Sequence, residues 1–284
     1  MQLRTMSEQD IPAGMRLKDI AGWNQTANDW KCFLQASPAG CFVAEVDGTV
    51  RGTAATISYK HKFAWVGMVL VDPEFRGQGI GTRLLEKTIT YLDAAKIPAI
   101  KLDATPQGRP IYERLGFTPE YEITRLILKL PPKIPDALAV SKPVSVDSHQ
   151  LQAIVAADEE IFGASRSDLL CSLHQNAPDL TVAEWRNGNL HGYAFGRHGS
   201  FADQLGPWMA MDSQAARRLL ETFLRRCSSE ALVVDCLQAN QMAGELVCAH
   251  GFSYSRSLTR MYRGKNQFPG KTSDLCAILG PEFG

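Results

Sequence analysis

Residues 71–82 read V-D-P-E-F-R-G-Q-G-I-G-T and place glycines at positions 77, 79 and 81. An apolar run precedes this stretch, and apolar residues at helical spacing follow it, namely Leu84, Leu85, Ile89 and Leu92. A strand that leads through a loop into a helix presents unpaired N–H groups and the positive end of the helix dipole. Glycines allow an anion to approach such a backbone closely. The stretch therefore predicts a phosphate or pyrophosphate site, with a mobile turn that binds nothing as the alternative.

The two commonest nucleotide motifs do not fit this loop. A P-loop requires G-x-x-x-x-G-K-[ST], and no lysine follows these glycines. A Rossmann fingerprint requires a third glycine at position 82, which is Thr82, and it follows the first strand of its unit. The loop quoted above follows the third predicted strand, so both motifs are excluded.

Hydrophobic periodicity and turn residues predict alternating strands and helices in the first half of the chain. Residues 7–36 are predicted to be helical with a break at 22–25, and Asp47-Gly48 predicts a hairpin turn. Strands are predicted at 41–46, 50–59, 63–71, 97–104 and 117–130, and helices at 82–95 and 111–115. Prolines at 131, 132, 135 and 143 predict an extended linker over 131–146.

The second half of the chain repeats this order. Helices are predicted near 147–162, 166–175, 215–227 and 240–249, and strands at 180–185, 190–196, 208–211 and 231–237. Gly48 and Gly188 are 140 residues apart, as are Asp72 and Asp212, whereas R-L-L-E, Gly-Phe and Thr-Arg recur at an offset of 135. The register changes where P-E-F-R-G-Q-G-I-G is replaced by S-Q-A-A. We therefore predict two copies of one α/β unit, over 1–130 and 147–284, of which the second has lost the glycine loop.

Composition narrows the class of protein. The 284 residues are 45% hydrophobic and 21% charged, which is ordinary for a globular protein of two domains. The 30 basic and 30 acidic residues cancel, whereas nucleic-acid binding normally needs a basic excess. The 7 scattered cysteines predict reduced thiols, and the 6 histidines form no zinc motif. No stretch is a membrane helix or signal core, so we expect a cytoplasmic monomer or homodimer without a metal, nucleic-acid or membrane partner.

R-G-Q-G-I-G at 76–81 resembles the [QR]-x-x-G-x-[GA] signature of the GNAT superfamily of acyl-CoA-dependent N-acyltransferases. V-L-V-D-P at 69–73 and I-Y-E-R-L-G-F at 111–117 are also similar to that family, as is the order of elements across 1–130. The second half resembles a degenerate GNAT unit. The resemblance implies an α/β protein with the α+β GNAT fold. Mixed, mostly antiparallel sheets would be flanked by helices in two tandem units, of which the first is catalytic.

The resemblance also implies acetyl-CoA as the donor. Its pyrophosphate is expected on the backbone amides of the loop, which Arg76 is expected to organise. The strand before the loop is expected to splay from its neighbour, so that the pantetheine arm pairs with a free edge and an amide near Val69 binds the thioester carbonyl. The alternative is simply a buried strand. The implied cofactor-binding residues are Val69, Leu70, Val71, Arg76, Gly77, Gln78, Gly79, Ile80, Gly81, Thr82 and Thr105.

Tyr112 is the candidate catalytic acid. It stands four residues before Gly116-Phe117, where GNAT enzymes often carry the tyrosine that protonates the departing thiolate. A phenol is protonated at neutral pH, although a tyrosine that only packs and forms a hydrogen bond is the alternative. Thr105 stands where the family often has an asparagine that contacts CoA. At the 135-residue offset, the second half has Asn240 in place of Thr105 and Val247 in place of Tyr112.

The resemblance implies that the loop between the first two helices lines the cleft that binds the acceptor amine. Trp23, Asn24 and Gln25 are candidate acceptor-binding residues, and Asp103 is a candidate base. Core or structural roles are the alternatives for these residues. We expect the second domain, together with the tail after Arg263, to close the acceptor cleft. Candidates there to pair with a cationic amine are Asp158, Glu159 and Asp235, with a solvated helix face as the alternative for Asp158 and Glu159.

We therefore expect an acetyl-CoA-dependent N-acetyltransferase that moves an acetyl group to a primary amine of a small molecule, by direct attack in a ternary complex. Two alternatives remain open. One is a peptide or protein amine as the acceptor, and the other is a non-catalytic acyl-CoA sensor. Retention of Tyr112 beside an intact loop favours an enzyme over a sensor.

Overall fold

The computed structural model describes residues 1–129 and 146–284, so the predicted linker at 131–146 lies, apart from Val146, outside the described residues. The chain divides into two compact units. The first contains Met1–Glu120, Thr259–Phe268 and Pro281–Gly284, and the second contains Tyr121–Leu258 and Pro269–Gly280. Each unit therefore takes segments from both halves of the sequence. The domain boundaries at 130 and 147 stay a prediction.

The first half of the chain contains four helices and six strands within residues 1–129. The helices are α1 (Ile11–Ile20), α2 (Ala27–Ala36), α3 (Ile80–Ala94) and α4 (Arg109–Arg114). The strands are β1 (Gln2–Thr5), β2 (Phe42–Val46), β3 (Thr49–Tyr59), β4 (Phe63–Val71), β5 (Ala99–Ala104) and β6 (Thr118–Lys129). Short 3₁₀ helices cover Glu8–Asp10 and Pro73–Phe75. The predicted order is confirmed. Strand β1 was not predicted, because its four residues gain their stability from pairing with the distant strand β2.

The second half, described from residue 146 onwards, follows the same plan. Its helices are α5 (Ser148–Phe162), α6 (Ser167–Asn176), α7 (Ser213–Arg226) and α8 (Gln241–Ala249). Its strands are β7 (Val182–Arg186), β8 (Asn189–His198), β9 (Asp203–Ala210), β10 (Ala231–Leu237), β11 (Ser253–Gly264) and β12 (Leu275–Ala277), with 3₁₀ helices at Pro178–Leu180 and Thr272–Asp274. The sequence prediction missed β11 and β12 and placed the start of β9 five residues too late.

The sheet of the first unit has the strand order β1-β2-β3-β4-β5-β11. Its neighbours are antiparallel except for β4 and β5, which run parallel. The predicted hairpin turn is present, with φ angles of 50° at Asp47 and 72° at Gly48 that suit a two-residue turn. The apolar face of α3 packs on this sheet through Leu84, Leu85 and Ile89. The glycine loop therefore joins a central strand to a helix that the core holds in place.

The sheet of the second unit has the order β6-β10-β12-β9-β8-β7, and β10 also pairs with β9 in parallel. Leu219, Leu220 and Phe223 of α7 lie in its hydrophobic core. Mixed, mostly antiparallel sheets with flanking helices confirm the predicted fold class.

The two halves of the chain exchange their last long strands. Residues Thr259–Gly264 of β11 pair with β5 in the first unit, and Ile123–Lys129 of β6 pair with β10 in the second. One buried ion pair fixes each exchanged strand. Arg260 binds Asp103 in a bidentate manner at 2.8 and 2.9 Å, and Arg125 binds Asp235 at 2.7 Å through both oxygens. Such pairs are strongly directional.

Candidate functional site

The glycine loop of the first unit has the backbone conformation that only glycine adopts without strain at two of its positions. Gly77 has a φ of 76° and Gly79, the N-cap of α3, has a φ of 79°. A Cβ atom added at either position would meet no described atom within 4 Å. Gly81 differs, because it lies inside the helix and its Cβ would be 3.4 Å from Val71 Cγ2. The loop thus forms an open backbone surface, and its conformation requires glycine at positions 77 and 79.

The N-terminus of α3 keeps its unpaired N–H groups. Within residues 1–129 and 146–284, no protein acceptor takes a hydrogen bond from the amides of Gly77 to Thr82. The nearby Asp72 does not cap α3. It is the N-cap of the 3₁₀ helix Pro73–Phe75, and its carboxylate accepts hydrogen bonds from the amide of Glu74 at 3.3 Å and from Arg16 and Arg51, both at 3.0 Å. Burial alone would raise the pKa of Asp72, but these two guanidinium groups hold it below its usual value. The helix end is therefore available to a phosphate.

The equivalent helix end of the second unit is already occupied. Asp212 is the N-cap of α7, and its carboxylate accepts a hydrogen bond from the amide of Ala215 at 2.8 Å. The same carboxylate binds Arg186 at 2.8 Å. The loss of the glycine segment has brought this aspartate to the helix end, where it takes the place that an anion would fill.

Strand β4 leaves its parallel neighbour before the loop begins. The two strands pair only at Ala64↔Ile100 and Trp65↔Lys101, although both continue beyond these residues. Met68 has a φ of 55° and lies at a bulge against β3. Among the described residues, no strand pairs with the β5-facing edge of β4 from Val66 to Val71. The first unit therefore has a free backbone edge next to the loop, as expected for a strand that splays from its neighbour.

The corresponding edge of the second unit is filled by the chain itself. Strand β12 lies between β9 and β10, where Leu275 pairs with Met209, and Ala277 pairs with Trp208 and Cys236. Met209 is related to Val69 by the same offset that relates Asp212 to Asp72. The position at which an added strand could bind in the first unit is thus taken by residues 275–277 in the second.

Tyr112 lies on α4 beside the same hydrophobic cluster as Val69. Its ring contacts Phe117 edge-on at 6.0 Å between centroids. Within the described ranges, 1–129 and 146–284, its hydroxyl forms no hydrogen bond. Burial raises the pKa of Tyr112 to about 12. The phenol is therefore neutral at physiological pH.

Comparison with known proteins agrees with this geometry. Residues 11–117 match the profile of the acetyltransferase (GNAT) family, and residues 154–277 match that of an acetyltransferase (GNAT) domain. The chain is a tandem GNAT superfamily protein. As a GNAT protein it is an acetyltransferase, and GNAT acetyltransferases use acetyl-CoA as a cosubstrate.

Two curated relatives of this GNAT protein match most of its length. It is 28% identical over 219 residues to the uncharacterized N-acetyltransferase YitH of Bacillus subtilis. That match covers 77% of this chain and 76% of YitH. It is also 24% identical over 272 residues to the holothin acyltransferase of a Pseudoalteromonas species. That match covers 92% of this chain and 87% of the relative. A crystal structure from Pyrococcus horikoshii, described as that of an acetyltransferase, matches with a TM-score of 0.82 and 21% sequence identity. The match covers 100% of this chain and 95% of that chain. That structure supports the fold.

Several predicted cofactor residues of the GNAT protein have structural contacts of their own. Arg76 donates from Nε to the carbonyl of Val71 at 3.1 Å, and the Gln78 amide donates to the carbonyl of Glu74 at 3.4 Å. Both contacts shape the loop. Ile80 is 3% exposed and its side chain packs into the core, so only its backbone faces the loop.

Thr105 holds the start of α4. Its Oγ1 accepts a hydrogen bond from the amide of Gly108 at 3.2 Å. In the second unit Asn240 does the same for Ala243 at 3.1 Å. The two residues at this repeat position therefore share a capping role, and a contact of Thr105 with the cofactor stays a prediction.

The predicted acceptor residues all lie in the first unit. Asn24 and Gln25 are buried in the α1–α2 loop, where Gln25 Nε2 donates to Glu282 Oε2 at 2.9 Å. Trp23 is half-buried beside them. Asp103 is held by the bidentate pair with Arg260, and this favours a structural carboxylate over a general base. Sequence reasoning did not single out Glu282, because nothing local in P-E-F-G indicates that it meets a loop more than 250 residues earlier.

Two of the three acidic candidates of the second half are used within the second unit. Asp158 binds Arg166 at 2.7 Å and accepts a hydrogen bond from Tyr193 at 2.7 Å, and all three side chains are buried. Asp235 is bound by Arg125 and also by Gln204 Nε2 at 2.9 Å. The expectation that these two carboxylates pair with an amine is therefore wrong, since protein cations already neutralise them.

No metal site or membrane span is found in the described ranges. Among those residues no cluster of three or more His, Cys, Asp or Glu side chains could hold a metal ion. No helix there is both long and apolar enough to cross a membrane.

Proposed function

We propose that the first unit transfers an acetyl group from acetyl-CoA to a primary amine of a small molecule, by direct attack in a ternary complex. One observation carries the proposal. The first unit combines an uncapped helix N-terminus with a free strand edge, whereas in the second unit Asp212 and β12 occupy both positions. A cofactor with an anionic head and an amide-bearing arm fits the first unit alone.

The residues of the first unit fit acetyl-CoA in two respects. The open space over Gly77 and Gly79 leaves room for a pyrophosphate beside unpaired amides. The free edge of β4 offers backbone donors and acceptors to the amide groups of a pantetheine arm, in the manner of an added strand. When bound, acetyl-CoA supplies the reactive thioester.

The chain's own groups then serve the transfer. The amide near Val69 donates a hydrogen bond to the thioester carbonyl oxygen and stabilises the negative charge that develops there. The hydroxyl of Tyr112 gives its proton to the departing sulfur. The acceptor attacks as the neutral amine, after its ammonium form has lost one proton to solvent. Its nitrogen forms the bond to the acetyl carbon as the carbon–sulfur bond breaks, and the nitrogen then loses its second proton to solvent. Tyr112 recovers its own proton from solvent.

The acceptor class is supported by one relative and remains part of the proposal. The Pseudoalteromonas relative, which spans 92% of this chain, is named for the acylation of holothin rather than of a protein. This supports a small acceptor over a peptide. A non-catalytic sensor of acyl-CoA would keep the loop but would not need the partly buried, neutral phenol of Tyr112 as a proton donor.

The test is release of free thiol from acetyl-CoA across a panel of amines and short peptides, together with calorimetric binding of acetyl-CoA. We expect binding and turnover with at least one small amine. Absence of acetyl-CoA binding would refute the proposal for the first unit. Binding without turnover on any acceptor would favour the sensor, and turnover restricted to peptides would favour the second enzymatic alternative.

A further inference from the structure

The segment Pro281–Gly284 is part of the first unit, although the residues just before it belong to the second. Two side chains of the sheet bind its backbone. Trp65 Nε1 donates to the carbonyl of Pro281 at 2.9 Å, and the Tyr59 hydroxyl donates to that of Phe283 at 2.7 Å. The ring of Phe283 stacks on Phe33 of α2 with 5.0 Å between centroids and 16° between planes. The segment is thus a fixed part of the first unit.

This segment crosses β4 at the point where β4 leaves β5. A Cβ atom on Gly67 would be 2.6 Å from the carbonyl oxygen of Glu282, so the segment lies directly against the strand backbone. The next residue is Met68, with its positive φ, and Val69 follows. The segment therefore lies within two residues of the amide to which we assign the thioester carbonyl.

The same segment reaches the loop between α1 and α2. Glu282, which is 2% exposed, accepts the hydrogen bond of Gln25 from that loop. The two features that bound the acceptor side, the loop and the bulge of β4, are therefore joined by residues 281–284. No room remains between the segment and this face of β4 for another chain, because the gap does not accept even a methyl group on Gly67.

We propose that Pro281–Gly284 is a wall of the acceptor site that restricts the acceptor to small amines. The inference rests on the proposed function of the first unit and adds the residues that set its selectivity. A peptide would have to displace the segment. It would break the hydrogen bonds of Trp65 and Tyr59 and uncover Phe283, which is 1% exposed.

The experiment compares kcat/KM for linear primary amines of increasing length and for an amine-terminated tetrapeptide in wild type and Phe283→Ala. Removal of the ring should widen the site beside Phe33. We expect the ratio of kcat/KM for the longest to the shortest amine to rise roughly tenfold or more, which is the usual size of pocket discrimination. The affinity for acetyl-CoA should stay within about twofold of wild type. Phe283→Leu, which keeps most of the volume and the fold, should show a smaller change in the same direction.

Phe201→Ala is the matched control, because Phe201 is 51% exposed and lies in the second unit. It should leave the length profile unchanged. The proposal is overturned if Phe283→Ala and Phe283→Leu bind acetyl-CoA normally and keep the wild-type profile. It is equally overturned if wild type accepts the tetrapeptide as well as the short amine, or binds acetyl-CoA but acts on no small amine. Failure of wild type to bind acetyl-CoA would instead refute the proposed function itself.

Discussion

Gly77 and Gly79 have φ angles near 80° with open space around them, and Gly81 has neither the conformation nor the openness. Three glycines that look equivalent in the sequence therefore have different requirements. The same holds for two aspartates. Asp72 caps the 3₁₀ helix Pro73–Phe75 and binds Arg16 and Arg51, whereas Asp212 caps the long helix α7 directly. At the residue scale, the site depends on which backbone groups are left without a partner.

Gly79→Ala should weaken acetyl-CoA binding at least several-fold. A side chain in the left-handed region costs about 1–2 kcal/mol of strain, and the added methyl group would extend into the open space that we assign to the pyrophosphate. Gly188→Ala is the matched control, since Gly188 has a φ of 78° and open space but lies in the hairpin turn of the second unit. Both variants should lose similar stability in denaturant unfolding, and only Gly79→Ala should lose affinity in calorimetry. Equal affinities would contradict the pyrophosphate assignment.

Tyr112→Phe should lower kcat by about 10²–10⁴-fold while the KM for acetyl-CoA changes little, because the variant loses only a proton donor. Tyr254→Phe is the control, since Tyr254 is 65% exposed in the second unit. Steady-state kinetics on an active amine checks both variants. Normal turnover by Tyr112→Phe would remove Tyr112 from the mechanism.

The pH profile follows from the raised pKa of Tyr112. A general acid acts in its protonated form, and a pKa of about 12 keeps Tyr112 protonated throughout the range in which the enzyme is assayed. The kcat of wild type should therefore not fall between about pH 7 and 10 through this group. A decline centred below pH 10 that disappears in Tyr112→Phe would show that the hydroxyl is less shielded than the structure indicates.

At the scale of elements, each unit is completed by a strand from the other half of the chain. The pairs Asp103–Arg260 and Asp235–Arg125 fix these strands, and both are buried. An exchanged strand satisfies the same hydrogen bonds and side-chain pairs as a strand of the same half. The sequence therefore predicted β6 but not β11, and the repeat of Thr-Arg does not indicate which unit either strand joins.

Asp103→Asn should destabilise the protein by about 3–5 kcal/mol, because it leaves the buried guanidinium of Arg260 without its charge partner. Asp235→Asn in the second unit should cost a similar amount, and this makes it the matched comparison. Chemical denaturation measures both. If Asp103 is structural, kcat measured well below the unfolding transition should change little in either variant. A large loss of kcat in Asp103→Asn alone would restore it as the general base.

At the scale of the whole molecule, one copy of the repeat keeps the features of a cofactor site and the other fills them with its own residues. Asp212 takes the helix end and β12 takes the strand edge in the second unit. Each unit also depends on segments from both halves of the chain. Under the proposed function, the two copies of the fold therefore provide one cofactor site rather than two.

Acetyl-CoA should bind with a stoichiometry of one per chain. Asp212→Ala, which removes the cap of α7, should cost about 1 kcal/mol of stability without creating a second site, because β12 still fills the edge. Calorimetric titration of wild type and Asp212→Ala measures this directly. Two sites in wild type would show that β12 leaves the second unit when the cofactor binds.

A fragment of residues 1–129 should not form a stable first unit by itself. It lacks Thr259–Phe268, which pair with β5, and Pro281–Gly284, which bury Phe33. We expect low helicity, an unsharp thermal transition and no acetyl-CoA binding, with recovery when residues 146–284 are co-expressed. A cooperative unfolding transition of the lone fragment would favour the domain boundaries predicted from the sequence.

The sequence alone determined the order of most helices and strands, the repeat, the GNAT superfamily and the position of the glycine loop between β4 and α3. These features rest on local periodicity, turn residues and glycine spacing, which a short stretch of chain can specify. Only the tertiary structure decided the destination of β6 and β11, the filling of the second unit by β12, and the placement of Glu282 beside Gln25. These contacts join residues far apart in the chain, and strand pairing uses backbone groups that every residue possesses. No local pattern therefore distinguishes the partner that folding selects.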